Sequence, residues 1–408
     1  MLQIPLYFDN LATTPVDPRV LEVMLPYFTE HFGNAASTTH AFGWKAREAV
    51  ERARTQVAAL LGARLPREIV FTSGATEADN LAIKGVAAFY RNKGNHIITC
   101  ATEHKAVLDC CKRLEVQGCE VTYLPVDEHG LVDLVALEAA ITQRTVLISL
   151  MAANNEIGTV QPLERIGALA KERGVLWHCD GAQAVGKMAL DVEALGIDLL
   201  SVSGHKLYGP KGIGVLYVRS RQPRVRLEAL LEGGGHERGL RSGTLNVPGI
   251  VGLGEACELY RVERQGEQER LARLRQRLYE GIVARLDGVW QNGHPQRHLP
   301  GCLHLSFAQV DGTALILALQ DIALSSGSAC TSGDDKLSHV LQAIGMDDER
   351  AAASLRFGLG RFHTEEEVDY VANRVVSEVE RLRQVRGEAL VEAVEQSSVN
   401  PVDVETHL

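Results

Sequence analysis

Between residues 69 and 218 the sequence repeats one arrangement: a short, largely β-branched apolar run, then a segment whose apolar residues recur at helical spacing. Ile69–Thr72 precedes a helical pattern from Thr76 to about Tyr90, and His96–Cys100 precedes one near 104–116. Residues 121–124 precede one near 134–141, and 145–150 precede one over 162–173. Further apolar runs follow at 175–179, 197–202 and 215–218. Strands that are apolar on both faces must be covered on both faces, and here helices lie between them. The fold class predicted is α/β, a mostly parallel sheet covered by helices.

The pattern changes after about residue 248. A long charged helix is expected from 249 to about 286, then short strands near 303–307, 323–325 and 355–358, with helices near 313–320 and 364–385. This reads as a smaller α+β domain. The division expected is a large domain over 16–259, and a small one made of 1–15 and 260–408 that ends in a polar tail from about 397, either loose or a docking segment. At roughly 150 residues per domain, 408 residues suit such a division.

Lys and Arg number 42 against 52 Asp and Glu, a formal charge of -10, which argues against non-specific nucleic-acid binding. No stretch approaches the roughly 18 apolar residues of a membrane span, and the first residues lack a basic region followed by an apolar run. The eight cysteines contain no Cys-x-x-Cys pair and are too sparse for a disulfide scaffold. A cytoplasmic protein with reduced thiols is expected, without nucleic acid or membrane among its partners.

The chemistry gathers at strand ends. Ser203-Gly204-His205-Lys206 closes one strand, and Asp180 follows another. Ligands of open α/β sheets bind beyond the carboxyl ends of strands. A lysine there can hold an aldehyde and a carboxylate can hold a pyridinium, the two handles of pyridoxal phosphate. Thr72-Ser73-Gly74-Ala75-Thr76 leads from a strand into a helix, whose free N–H groups and dipole suit a phosphate; alone it reads as an ordinary helix start. His104 and the Asn154-Asn155 pair also follow strands. His104 could stack on the ring and move protons, while an Asn and Gln183 could donate to the ring oxygen. Arg356 alternates with apolar residues on a strand and needs an anion, either a substrate carboxylate or an internal acid. Cys330 stands alone in a Ser/Gly-rich run, 325–335, which would span about 17–20 Å if free.

These residues lie in motifs that resemble, in order, those of the cysteine desulfurases of the IscS/NifS type. They are FTSGATEADN at 71–80, TEHKAVL at 102–108, NNEIG at 154–158, SGHKLYGPKGIG at 203–214, GGGHERGLRSGT at 233–244 and SSGSACTS at 325–332. The resemblance runs from about Tyr7 to about Arg381. It implies the pyridoxal-phosphate transferase fold of type I and conversion of L-cysteine to L-alanine, with a selenocysteine lyase or another aminotransferase-fold enzyme as the rival within the fold. By resemblance, Lys206 carries the cofactor, Asp180 pairs with the ring nitrogen, and Gln183 and Asn155 lie near the ring oxygen. Ala75, Thr76, Ser203, Gly204 and His205 surround the phosphate, and Thr244 reaches the phosphate of a second subunit in a homodimer. His104 stacks and shuttles protons, and Arg356, with Asn155, holds the substrate. Cys330 takes the sulfur as a persulfide, passes it to an iron–sulfur scaffold protein or other acceptors, and is the ligand this chain would lend to a transient 2Fe-2S cluster. The sequence departs from the pattern at Ala35, Gly181, the 334–338 segment and the C-terminal tail.

Overall fold

The computed structural model describes residues 2–326 and 337–398. Its main sheet has seven strands in the order Ile69–Thr72, Gly214–Val218, Leu199–Ser203, Leu176–Asp180, Thr145–Ser149, His96–Cys100, Glu120–Leu124. Only Gly214–Val218 runs against the others. Six of the strands are buried throughout; the edge strand Glu120–Leu124 is partly exposed. That burial is why the inner strands read as continuous apolar runs rather than alternating ones.

The pleat divides their side chains between two cores. Ile69, Phe71, Ile98 and Ile148 point into one, packed with Val50 and Val57 of the helix Ala41–Leu61 and Ile166 of Leu163–Arg173. Val70, Ile97 and Leu147 point into the other, beneath Leu81 and Val86 of Ala75–Phe89 and Val107 of Lys105–Val116.

A third core lies around a four-stranded antiparallel sheet in the order Ser325–Ser326, Ser354–Gly358, Cys302–Phe307, Val289–Gln291. The helix Val247–Val283 joins the two regions. Its 37 residues reach about 55 Å, placing Ile250, Leu253 and Tyr260 in the first core and Leu271, Leu278 and Ile282 in the third.

Two elements depart from expectation. The strand expected at 323–325 is two strands: Ile322–Ala323 pairs in parallel with Leu6–Tyr7, and Ser325–Ser326 pairs with Ser354–Gly358. The final helix, expected to end near 385, is Glu365–Ser398, because nothing in its charged second half breaks the helix. The tail beyond it lies outside the described residues. Among those residues no helix is long and apolar enough to cross a membrane.

Candidate active site

A cavity of about 880 Å³ opens where the carboxyl ends of the large sheet's strands meet the small sheet. That volume falls within the range of small-molecule sites. One wall is the turn into Ala75–Phe89. Gly74 occupies its N-cap without a side-chain cap, so the helix start keeps its backbone donors facing the cavity beside Ser73, Ala75 and Thr76. Glu77 accepts from the Ser73 N–H (2.7 Å) and from Arg241 Nε (2.8 Å), which anchors the turn from behind.

Asp180 ends its strand at the cavity floor, 6% exposed, with one oxygen accepting from the Ala182 N–H at 2.9 Å. Burial, then the neighbouring Asp79, pushes its carboxyl up to about 6; His104 and His178 oppose the shift. A pyridinium nitrogen at this place would restore the charged form. Gly181, a departure from the family pattern, has a physical reason: a Cβ there would lie 2.7 Å from Leu200 Cδ1. Gln183 Nε2 donates to Leu11 O at 2.8 Å.

Lys206 lies within the short 3-10 turn Gly204–Lys206. Its Nζ donates to the carbonyls of Leu11 and Ala12, both at 2.6 Å. Burial, then Arg356, holds the ammonium down to about 8, with Asp9 and Asp180 pulling the other way. An amine near 8 is neutral often enough to attack an aldehyde. Ser203 and His205 line the same wall. His205 Nδ1 lies 3.0 Å from Thr13 Oγ1, and burial lowers its pKa to about 4. Gly204 does not line the cavity. Its N–H is spent on Ile213 O (3.0 Å), and a Cβ there would lie 2.9 Å from Pro210 O, so its part is close packing.

His104 caps the helix Lys105–Val116 and also lines the cavity. Its Nδ1 accepts from the Ala106 N–H at 3.1 Å, so the neutral ring carries its proton on Nε2. Burial lowers its pKa. Of the two asparagines, Asn154 is used within the loop, donating to Thr102 O and accepting from the N–H groups of Glu156 and Ile157. Asn155 faces the cavity. Arg356 enters from the small sheet: Nη1 donates to Asn155 O (2.8 Å), and Nη2 to Asp9 Oδ1 and Ser325 Oγ (both 2.7 Å).

Thr244 is exposed and absent from this cavity's lining. Cys330 lies outside the described residues. Each of the seven described cysteines is a free thiol. Burial raises Cys100 and Cys302 to about 11 and Cys110 to about 12, and also raises Cys111, Cys119, Cys179 and Cys257.

Sequence reasoning missed the N-terminal contribution. Asp9, Leu11, Ala12 and Thr13 line the cavity, held there because Leu6–Tyr7 joins Ile322–Ala323 and the Thr14 N–H bonds His205 O. The polar run Asp9-Asn10-Leu11-Ala12-Thr13-Thr14 was the available signal. Lys187, His304 and His339 were missed as well; the latter two line the cavity.

The family model described as Aminotransferase class-V matches residues 6–371. Over 381 residues the chain is 57% identical to a cysteine desulfurase of Mus musculus, covering 93% of this chain and 83% of that one. It is 58% identical over 384 residues to cysteine desulfurase IscS of Anaeromyxobacter sp. (strain Fw109-5), covering 94% and 95%. The chain belongs to the cysteine desulfurases. Among solved structures it is similar to a NifS-like protein, with TM-score 0.86 and 40% identity over 93% of this chain and all of that one. It is also similar to SspA in complex with cysteine, with TM-score 0.79 and 40% identity over 88% and 99%. As a cysteine desulfurase it is a pyridoxal-phosphate-dependent enzyme, and selenocysteine lyase is not favoured by these likenesses. The cavity fits that cofactor: an uncapped helix start for the phosphate, a buried acid for the ring nitrogen, and a buried lysine whose pKa is lowered.

Proposed function

We propose that this desulfurase holds pyridoxal phosphate on Lys206 and leaves the sulfur of L-cysteine on Cys330, for iron–sulfur cluster assembly and other thio-transfer. The observation that carries this reading is the convergence of Lys206, Asp180, His104, Arg356 and the free start of the helix Ala75–Phe89 on one cavity. Ala75, Thr76, Ser203 and His205 would surround the phosphate, Asp180 the ring nitrogen, and Gln183 and Asn155 the ring oxygen. The bound cofactor supplies an electron sink for the substrate carbons. Arg356 binds and orients the substrate carboxylate. Lys206, freed as an amine, removes the α-proton, and His104 moves protons through its Nε2. The Cys330 thiolate attacks the substrate sulfur; an S–S bond forms, and the C–S pair stays on the carbon side, which takes a proton to give alanine. The seven other thiols are disfavoured as carriers by the burial that raises their pKa values.

A homodimer accords with two features of the surface. Thr244 is exposed and free to serve another subunit's phosphate. Leu25, Phe28, Phe32, Phe42 and Trp44 are each more than half exposed, and the rings of Phe32 and Phe42 are 5.4 Å apart, an apolar surface that a second copy would cover. Free thiols suit a reducing cytoplasm. An acceptor scaffold, with a transient 2Fe-2S cluster at Cys330, belongs to the same reading. So does a domain division at 16–259 against 1–15 with 260–408, which accords with the separate core around the small sheet.

Incubation with L-cysteine and reductant should yield alanine and sulfide in equal amounts from a yellow protein. Lys206→Ala should lose both the visible absorbance and all turnover. Turnover retained by Lys206→Ala would overturn the assignment.

A further inference from the structure

Lys187 lies one turn beyond Gln183, and the backbone between them bends to carry it beneath the catalytic lysine. Gly186 makes that bend at φ +84°, in the left-handed region, and a Cβ there would lie 2.4 Å from Leu207 Cβ. The stem of Lys187 is half-buried, while its Nζ is turned inward, donating to Gln183 Oε1 at 3.1 Å and to the backbone carbonyl of Lys206 at 3.2 Å.

The chemistry of these contacts fixes how Gln183 faces the cavity. Leu11 O can only accept, so the Gln183 atom 2.8 Å from it is the amide nitrogen. The amide oxygen is then the atom turned to Lys187. Among the described residues the second N–H of Nε2 has no protein acceptor, and Gln183 lines the cavity. One amide flip would present a lone pair there instead of a donor, which would repel a ring phenolate. Lys187 opposes the flip because its Nζ requires an acceptor.

We propose that Lys187 is a positioning residue: it locks the Gln183 amide as a hydrogen-bond donor toward the cofactor's ring oxygen and tethers the backbone of Lys206 on the same side. This rests on the cofactor reading above. Burial, with Lys206 and Arg356 nearby, lowers the Lys187 pKa to about 7, while Cys302 and Glu267 oppose the shift. The ammonium has no lone pair, so the charged form is the one that holds the lock; in the neutral amine, which could accept from a flipped amide, the remaining bar to the flip is Leu11 O, which only accepts.

The test is a double-mutant cycle on the cofactor-loaded enzyme, comparing Lys187→Met, Gln183→Ala and the double variant. Two readouts besides activity apply: the pH midpoint of the bound cofactor's visible band, and cofactor retention by equilibrium dialysis. A donor to the ring oxygen draws electron density from the cofactor and loosens the proton on its lysine-bound nitrogen. Lys187→Met should therefore raise the midpoint by about half a unit to one unit and weaken retention about five- to tenfold. In the Gln183→Ala background the same substitution should add little to either. Equal shifts in both backgrounds would mean a bare charge effect, and no shift in a folded Lys187→Met would mean no lock; either result overturns the proposal. If Lys187→Met does not fold, Lys187→Gln carries the same comparison, since it removes the charge and shortens the donor. A wild-type chain without any visible band would instead count against the cofactor reading itself.

Discussion

Arg54 and Arg356 are both buried arginines facing a carboxylate, and they differ in how completely their charge is answered. Arg54 makes two bonds to Glu237 (2.7 and 2.8 Å), one to Ile69 O (2.8 Å), and lies 4.7 Å from the centroid of the Phe71 ring. Glu237 also accepts from the Phe71 N–H at 2.8 Å. This pair ties the glycine-rich 233–244 segment to the strand Ile69–Thr72 and does not line the site cavity. Arg356 has only a single bond to Asp9, and its Nε is buried without an acceptor among the described residues. Burying an incompletely paired charge is costly, so the fold retains it at a cavity wall, where an anionic ligand can complete it. The complete pair fits a structural part, and the incomplete one at the cavity wall fits the binding part proposed for Arg356.

The largest effect should come from breaking the complete pair. Arg54→Met leaves Glu237 buried without a counter-charge, holding only the Phe71 N–H, and should cost about 3–5 kcal/mol of stability. Arg356→Met frees a partly exposed Asp9 and should cost about 1 kcal/mol or less. Chemical denaturation of the two variants measures this directly, and equal losses would erase the contrast.

The next effect belongs to binding. Arg356→Lys keeps the charge but loses the planar fork, and should raise KM for cysteine about 30- to 100-fold with a much smaller change in kcat. A loss confined to kcat would place Arg356 in the chemistry rather than in carboxylate recognition.

Asp180 extends the comparison to an acid awaiting a cation. Its folded pKa without cofactor is raised to about 6, above the ordinary carboxylate range. Pairing with a pyridinium needs the deprotonated form, so cofactor affinity should hold above pH 6 and fall about tenfold per unit below it. Asp180→Asn should bind more weakly and lose this pH dependence. Titration by dialysis against pH reads both variants, and an identical slope in the two would move the effect to another group.

The sequence revealed groups that local order brings together, and concealed those that topology brings together. Thr72 to Thr76 reads as strand, turn and helix start because all three signals lie within a few residues. Lys206 and Asp180 were visible because each follows an apolar strand at the same sheet edge. Asp9 was not visible, since it reaches Arg356 only after the Leu6–Tyr7 strand pairs with Ile322–Ala323. Lys187 was not singled out, because its inward turn depends on a glycine bend and on a neighbour nineteen residues away. Arg356 stayed between two readings, ion pair or ligand site, and the structure shows why: it makes the pair and still faces the cavity.

The most direct test of the central claim is a single turnover of the loaded enzyme with L-cysteine, followed by peptide mass spectrometry without reductant. One alanine should form per active site, with the extra sulfur on the peptide containing Cys330, while Cys330→Ser should keep its visible band and release no alanine. Extra sulfur on Cys302 or Cys110, or full alanine production by Cys330→Ser, would contradict the account.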